Sequence, residues 1–232
     1  MQNLRAPLCL GLQSLGLSLS EVQIAHLLNY LALIQKWNKV YNLTAVRDPA
    51  EMLTHHVLDS LALIKPLRQH LLALRASNQA LLIQPDAQLI TVRAEPLRLL
   101  DVGAGAGLPG VVVAICCPDV LVDCVDAVAK KVAFIQQVSV TLKLNNLRGI
   151  HARVERLTQR YTLITSRAFA SLLDFTKWSA CALAEQGVWL AMKGKHPADE
   201  LAALPANVQV FHVEQLEVPG LNAERCLVWM RR

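Results

Sequence analysis

The segment Leu99-Leu100-Asp101-Val102-Gly103-Ala104-Gly105-Ala106-Gly107-Leu108-Pro109-Gly110 constrains this chain more than any other. A short apolar run enters a turn in which every second residue is glycine, and Pro109, whose ring presets a first helical turn, follows. A buried strand, a tight turn and a helix start satisfy this order, and bare glycine backbone lets a ligand approach the turn closely. The reading is strand Arg98 to Val102, helix Pro109 to Cys116, and a nucleotide cofactor at the turn, with Asp101, Gly103, Gly105 and Gly107 as candidate contacts. Asp126, at the end of the next predicted strand, is placed to accept hydrogen bonds from ribose hydroxyls. In the competing reading the glycines only turn the chain and Asp126 caps the helix at Val128.

From Leu97 onward strands and helices alternate. Strands are predicted at Leu121 to Val125, Arg148 to His151, Tyr161 to Thr165 and Gly187 to Met192, and helices at Val128 to Leu144, Leu172 to Ala184 and, briefly, after Pro197. That rhythm implies an α/β fold with a doubly wound parallel sheet. Two closing strands, Val208 to Val213 and Cys226 to Met230, lack a long helix between them and predict an antiparallel end.

Upstream, Ser20 and Gln23 form a capping-box start, and Ile24, Leu27, Leu28, Leu31, Ile34 and Trp37 recur at helical spacing. A second helix is predicted from Asp48 and Pro49, with Glu51 completing another capping box, as far as Pro66. Residues 1–68 thus read as a helical appendage, 69–96 as an insertion without a clear period, and 97–232 as the core.

With 53% hydrophobic residues over 232 positions, the chain can bury a large core. No stretch reaches the roughly 18 uninterrupted apolar residues of a membrane helix, and Met1 to Leu19 lacks a secretory cleavage pattern, so a soluble cytoplasmic protein is expected. The six cysteines form no C-x-x-C pair, which supports neither a metal site nor a disulfide framework and suits a reducing compartment. A net charge of +5 suits a polyanionic partner without requiring one.

Gly105, Gly107 and Gly110 satisfy the dinucleotide pattern G-x-G-x-x-G, which keeps a nicotinamide oxidoreductase open. The strand, however, ends at Asp101-Val102-Gly103, giving D-x-G-x-G-x-G, and this spacing resembles the first motif of class I S-adenosylmethionine-dependent methyltransferases. Further segments narrow the resemblance: Lys36-Trp37-Asn38-Lys39-Val40-Tyr41-Asn42-Leu43-Thr44, Arg47-Asp48-Pro49, His56-Val57-Leu58-Asp59-Ser60, Ser166-Arg167-Ala168-Phe169-Ala170-Ser171 and Met192-Lys193-Gly194. Together and in this order they resemble the 16S ribosomal RNA guanine-N7 methyltransferases, once called glucose-inhibited division protein B. The chain departs from that pattern at Thr162, where members commonly carry an acid, and in the longer link at 69–96.

The resemblance implies S-adenosylmethionine as cofactor, with contacts at Gly103, Leu108, Val154, Glu155 and Arg167 and Asp126 as the ribose acid. Val154 and Glu155 follow the third strand, where the resemblance implies contact with the adenine edge; Glu155 also reads as a helix-start acid between Arg153 and Arg156. The resemblance implies a guanine of 16S rRNA as acceptor, in naked rRNA, the small ribosomal subunit or its precursor; a monomer is the expectation, though nothing in the sequence fixes the oligomeric state. Arg167 and Lys193, at the carboxyl edge of the sheet, are the candidate substrate-positioning residues, against the alternative of solvated surface cations. No general base is needed, because guanine N7 presents a lone pair and carries no proton. Lys36, Lys39, Arg47, Arg153 and Lys195 are the candidate RNA contacts, joined by Arg167 and Lys193, chiefly to phosphates. Trp37 is read as packing, His55 and His56 as either core or RNA contacts, and Asn42 and Asp59 receive no role. Thr165-Ser166-Arg167-Ala168 stands where exocyclic-amine methylases carry an Asn/Asp-Pro-Pro-aromatic motif, and no cysteine sits at a nucleophile position. A class I methyltransferase acting on a small molecule or a protein is the alternative, and a cofactor-binding module without activity the non-enzymatic one.

Overall fold

A computed structural model describes residues 4–81 and 96–232, and of 77–81 the backbone alone. The N-terminal part is helical: α1 (Arg5–Ser14), α2 (Glu21–Tyr41), α3 (Pro49–Met52), a π-helical turn (Leu53–Leu58), α4 (Asp59–Leu61) and α5 (Ile64–Leu81). Helix α2 begins where its capping box predicts. The Ser20 side chain accepts from the Gln23 N–H, the Gln23 carboxamide accepts from the Ser20 N–H, and the same carboxamide donates to Ile115 O at 2.9 Å. Asn42, with φ 49°, ends it. Asp48 caps α3 through the N–H groups of Ala50 and Glu51. The reciprocal bond expected from Glu51 is not among the described hydrogen bonds.

Helix α1 lies within the residues read as a helical appendage, its buried face formed by Leu8, Gly11 and Leu12. Pro66 does not stop a helix. The chain breaks earlier, at Ala62 and Leu63, and α5 then carries Pro66 in its first turn, where a missing N–H has no intrahelical partner to lose. Residues 69–81 of the predicted insertion are therefore helical, while 82–95 lie outside the described residues.

The remainder alternates: β1 (Arg98–Val102), α6 (Gly110–Cys116), β2 (Leu121–Asp126), α7 (Ala129–Thr141), β3 (Leu147–His151), β4 (Tyr161–Arg167), α8 (Leu172–Ser179), β5 (Leu183–Lys193), α9 (Ala198–Ala202), β6 (Gln209–Gln215) and β7 (Cys226–Arg231). The sheet order is β3-β2-β1-β4-β5-β7-β6, with β7 antiparallel between β5 and β6 and the other pairings parallel. The helix predicted over Leu172 to Ala184 is shorter than expected. It gives way to a 3-10 turn at Ala180–Ala182, because Leu183 already pairs with Tyr161 as β5 begins.

Successive strand residues face opposite ways. Leu99, Leu163 and Leu190 join a buried cluster with α1, α2, α6 and α7, and Leu100, Ile164 and Trp189 join another with Leu172 and Phe175 of α8. The N-terminal helices thus share one core with a whole face of the sheet. Between β1 and β4 the strand order reverses direction, and such a switch point opens a crevice at the carboxyl ends of the strands. The glycine turn, Asp126, Arg167 and Lys193 all lie at that edge.

Candidate active site

The glycine turn is built as its sequence requires. Gly103, Gly105 and Gly107 hold φ of +65°, +60° and +87°, backbone that only glycine adopts at no steric cost. Gly103 and Ala104 donate to Val125 O at 2.9 and 3.2 Å, which pins the turn to β2. From the other side the buried Tyr30 hydroxyl of α2 donates to Ala106 O at 2.6 Å, so an N-terminal helix holds the turn's floor. Asp101 was expected among the cofactor contacts, but its side chain is fully buried below the turn. Its Oδ2 accepts the Gly110 N–H at 2.8 Å at the start of α6, and its Oδ1 is buried without a partner. Burial pushes this carboxyl up to about 7. Gly107 likewise lies inward, where a Cβ would meet Val111 at 2.4 Å.

Two cavities open on the turn. One, of about 410 Å³, is lined by Gly103, Asp126, Val154, Glu155, Phe169 and Trp178, among others, with Arg153 at its edge. The other, of about 600 Å³, is lined by Gly103, Gly105, Leu108, Arg167, Lys193 and Arg225, with Thr44, His55, His56 and Asp59 contributed by the N-terminal part. Gly103, Lys131 and Ala168 border both. The expected contacts Gly103, Gly105, Leu108, Asp126, Val154, Glu155 and Arg167 are therefore brought together; Asp101 and Gly107 support them from beneath.

Asp126 Oδ1 accepts from the N–H of Val128, the residue just before α7, at 2.8 Å, while its Oδ2 accepts from Gly105 N–H at 3.0 Å and lies 3.8 Å from Lys131 Nζ. Phe169 crosses Gly103 and meets Trp178 edge to face, at 5.8 Å between ring centres. Ala168 between Arg167 and Phe169 adopts φ 52°, a left-handed conformation that costs a side-chain-bearing residue about 1–2 kcal/mol.

The cations at this edge are engaged rather than solvated. Arg167 Nη1 donates to Asp59 Oδ2 at 2.6 Å and to His55 O at 2.7 Å, and Arg225 Nε donates to Asp59 Oδ1 at 2.9 Å. Lys193 Nζ donates to Ala170 O at 2.8 Å and to both oxygens of Glu200, whose Oε2 also takes the Leu172 N–H at 2.6 Å. Lys193 thereby braces the 168–170 loop and the start of α8. His56, buried, meets Thr44 Oγ1 at 2.8 Å through Nε2, and burial, reinforced by Arg167, lowers its pKa to about 4. Of the expected RNA contacts, Arg153 borders the first cavity, whereas Lys36, Lys39, Arg47 and Lys195 are exposed outside both. Arg47 donates to Asn42 Oδ1 at 2.7 Å. Trp37 packs on Phe134 and Tyr41, at 5.4 and 5.0 Å, consistent with a packing role.

The sequence reading missed Lys131, Trp178, Thr44 and Arg225, and assigned nothing to Phe169 or Asp59. Lys131 follows Asp126 by little more than one helical turn, a signal that was available; the others reach the site only through the fold. Among the described residues, no set of three or more His, Cys, Asp or Glu side chains is placed to hold a metal ion, and no helix is long and apolar enough to cross a membrane.

Residues 23–72 and 84–228 match the model of the family described as rRNA small subunit methyltransferase G. The chain belongs to that family. Relatives named ribosomal RNA small subunit methyltransferase G include one from Albidiferax ferrireducens, 65% identical over 232 residues, covering 100% of this chain and 99% of that protein. Another, from Methylibium petroleiphilum, is 53% identical over 223 residues, covering 96% of this chain and 91% of that one. The sheet, with its glycine turn after β1 and its antiparallel β7, is that of a class I methyltransferase, and the activity is S-adenosylmethionine-dependent methyl transfer to small-subunit rRNA.

Proposed function

We propose that this methyltransferase acts on N7 of a guanine in 16S rRNA, holding the cofactor across the first cavity and the glycine turn and the base in the second. The observation that carries this reading is the junction of the two cavities at Gly103, Lys131 and Ala168, which gives donor and acceptor one shared border. The first cavity fits an adenosyl group. It offers an aromatic wall in Phe169 and Trp178, carboxylates in Asp126 and Glu155, and the Val154 backbone, within the roughly 300–1,000 Å³ of a small-molecule site. Gly105 faces open space, its added Cβ meeting only Gly103 O at 3.9 Å, which leaves bare backbone for the cofactor's methionine part.

When bound, S-adenosylmethionine supplies an activated methyl group. The protein's task is to align it with the N7 lone pair, so proximity and orientation carry the acceleration and no side chain needs to remove a proton. Arg167 and Lys193 wall the acceptor side, Lys193 through the loop it braces. Exposed Lys36, Lys39, Arg47 and Lys195, with Arg153, would take phosphates, giving salt-sensitive affinity. One copy of the chain completes both cavities, which supports action as a monomer, and six free thiols suit the cytoplasm.

The test is transfer of labelled methyl to small-subunit rRNA, naked and as assembled subunit, from cells lacking this protein, with wild-type, Gly103→Asp and Arg167→Ala forms in parallel. Label recovered as 7-methylguanosine with the wild type and lost with both variants is expected. Label at another atom, or none on any form of the RNA despite cofactor binding, would overturn the reading.

A further inference from the structure

Asp59 lies where the N-terminal helices meet the transfer cavity, its side chain only 3% exposed, and it contacts neither the glycine turn nor the first cavity. Its two oxygens hold two guanidinium groups from distant parts of the chain: Arg167, at the end of β4, and Arg225, just before β7. Both arginines line the second cavity and stay partly open to it, at 17% and 23% exposure.

A guanidinium has five N–H donors in a rigid fork. Arg167 spends Nη1 on Asp59 and His55 O, and Arg225 spends Nε on Asp59 and Nη1 on Glu224 O. Among the described residues, Arg167 Nε and Nη2 and Arg225 Nη2 make no hydrogen bond. Asp59 therefore fixes one edge of each fork and leaves the other free at the cavity where the base is read to sit.

We propose that Asp59 is a positioning residue that sets Arg167 and Arg225 as a pair of donors for guanine O6 and an adjoining phosphate, and so selects guanine at the transfer site. This rests on the reading of the second cavity as the acceptor site. Free arginine forks commonly bind O6 and N7 together, which would occupy the atom that must accept the methyl group. A fork anchored on one side can serve O6 and leave N7 open. Adenine presents an amino group at the same corner, so the same N–H groups would face donors and reject it. The Asp59 carboxylate also neutralises one of two positive charges close to where a cationic methyl donor binds, leaving the other for phosphate.

The test compares Asp59→Asn, Asp59→Glu, Arg225→Met and the Asp59→Asn/Arg225→Met double variant. Thermal unfolding, calorimetric titration of S-adenosylmethionine, and kcat and KM for undermethylated small subunits are measured for each. Asp59→Asn is expected to keep cofactor affinity within about threefold while kcat falls about 100-fold, the scale of a small misplacement of reacting groups. Asp59→Glu should recover part of that loss. Arg225→Met, which leaves the Asp59–Arg167 pair intact, should lower kcat/KM alone, and adding it to Asp59→Asn should cost little more. Unchanged kcat in Asp59→Asn, or losses that multiply in the double variant, would overturn the proposal while leaving the acceptor site standing. Cofactor affinity and unfolding temperature falling in step with rate in Asp59→Asn and Arg225→Met alike would reduce Asp59 to a structural strap. Absence of transfer by the wild type would remove the reading beneath it.

Discussion

Gly103→Ala puts a methyl group where backbone and neighbour both exclude it. The residue sits at φ +65°, and a Cβ there would come within 2.1 Å of Phe169 Cδ2. Left-handed backbone costs alanine about 1–2 kcal/mol. Phe169 must also withdraw, loosening its edge contact with Trp178 at 5.8 Å, an aromatic pair worth about 0.5–1.5 kcal/mol. The sum, about 1.5–3.5 kcal/mol, lowers Tm by roughly 3–14 °C in a chain of this size. Calorimetric unfolding of wild type, Gly103→Ala, Phe169→Ala and the double variant separates the two parts. In the Phe169→Ala background only the backbone cost should remain, a coupling of about 1 kcal/mol. Equal losses in both backgrounds would show that Phe169 does not press on the turn. A loss below about 0.5 kcal/mol in either would refute the requirement for left-handed backbone.

Tyr30→Phe removes the hydroxyl that donates to Ala106 O and should cost about 1 kcal/mol in urea unfolding while weakening S-adenosylmethionine in calorimetric titration; unchanged cofactor affinity would separate α2 from the turn. Burial holds His56 at about 4 against the ordinary 6.5, whereas burial raises the Asp101 carboxyl from 3.8 to about 7. Between about pH 4 and 6.5, unfolding takes up a proton at His56 and releases one at Asp101, so the first makes stability rise with pH and the second makes it fall. His56→Phe removes the rising part, and its urea midpoint should fall from about pH 4.5 to 6.5 relative to the wild type; parallel profiles would deny His56 a neutral buried state. Lys36→Ala and Lys39→Ala should each reduce the salt slope of RNA binding by about 1 and leave cofactor affinity untouched; an unchanged slope would move the RNA to another face.

What the sequence revealed was what short-range physics decides. The capping box at Ser20, the apolar run from Leu99 into the turn, and the alternating glycines each act within a few residues, and each is found where its pattern places it. Pro66 misled because proline reads the same whether it ends one helix or sits in the first turn of the next. Asp101 looked like a ligand contact because it adjoins the turn, yet strand alternation aims it beneath α6 instead. Asp59 could not be read at all. Its partners lie 108 and 166 positions away, and only the placement of β4 and β7 in one sheet brings them to it.

The late arrival of β7, slotted between β5 and β6, also orders events during synthesis. By Trp178 the lining of the first cavity has been made, and the roughly fifty residues from there to Arg225 take the ribosome about 2–10 s to add. Throughout that interval the emerging polypeptide owns the means to hold its methyl donor but lacks one wall of the chamber meant for the base. An unfinished chain therefore cannot mark the particle that is translating it, and competence comes only with the last strand.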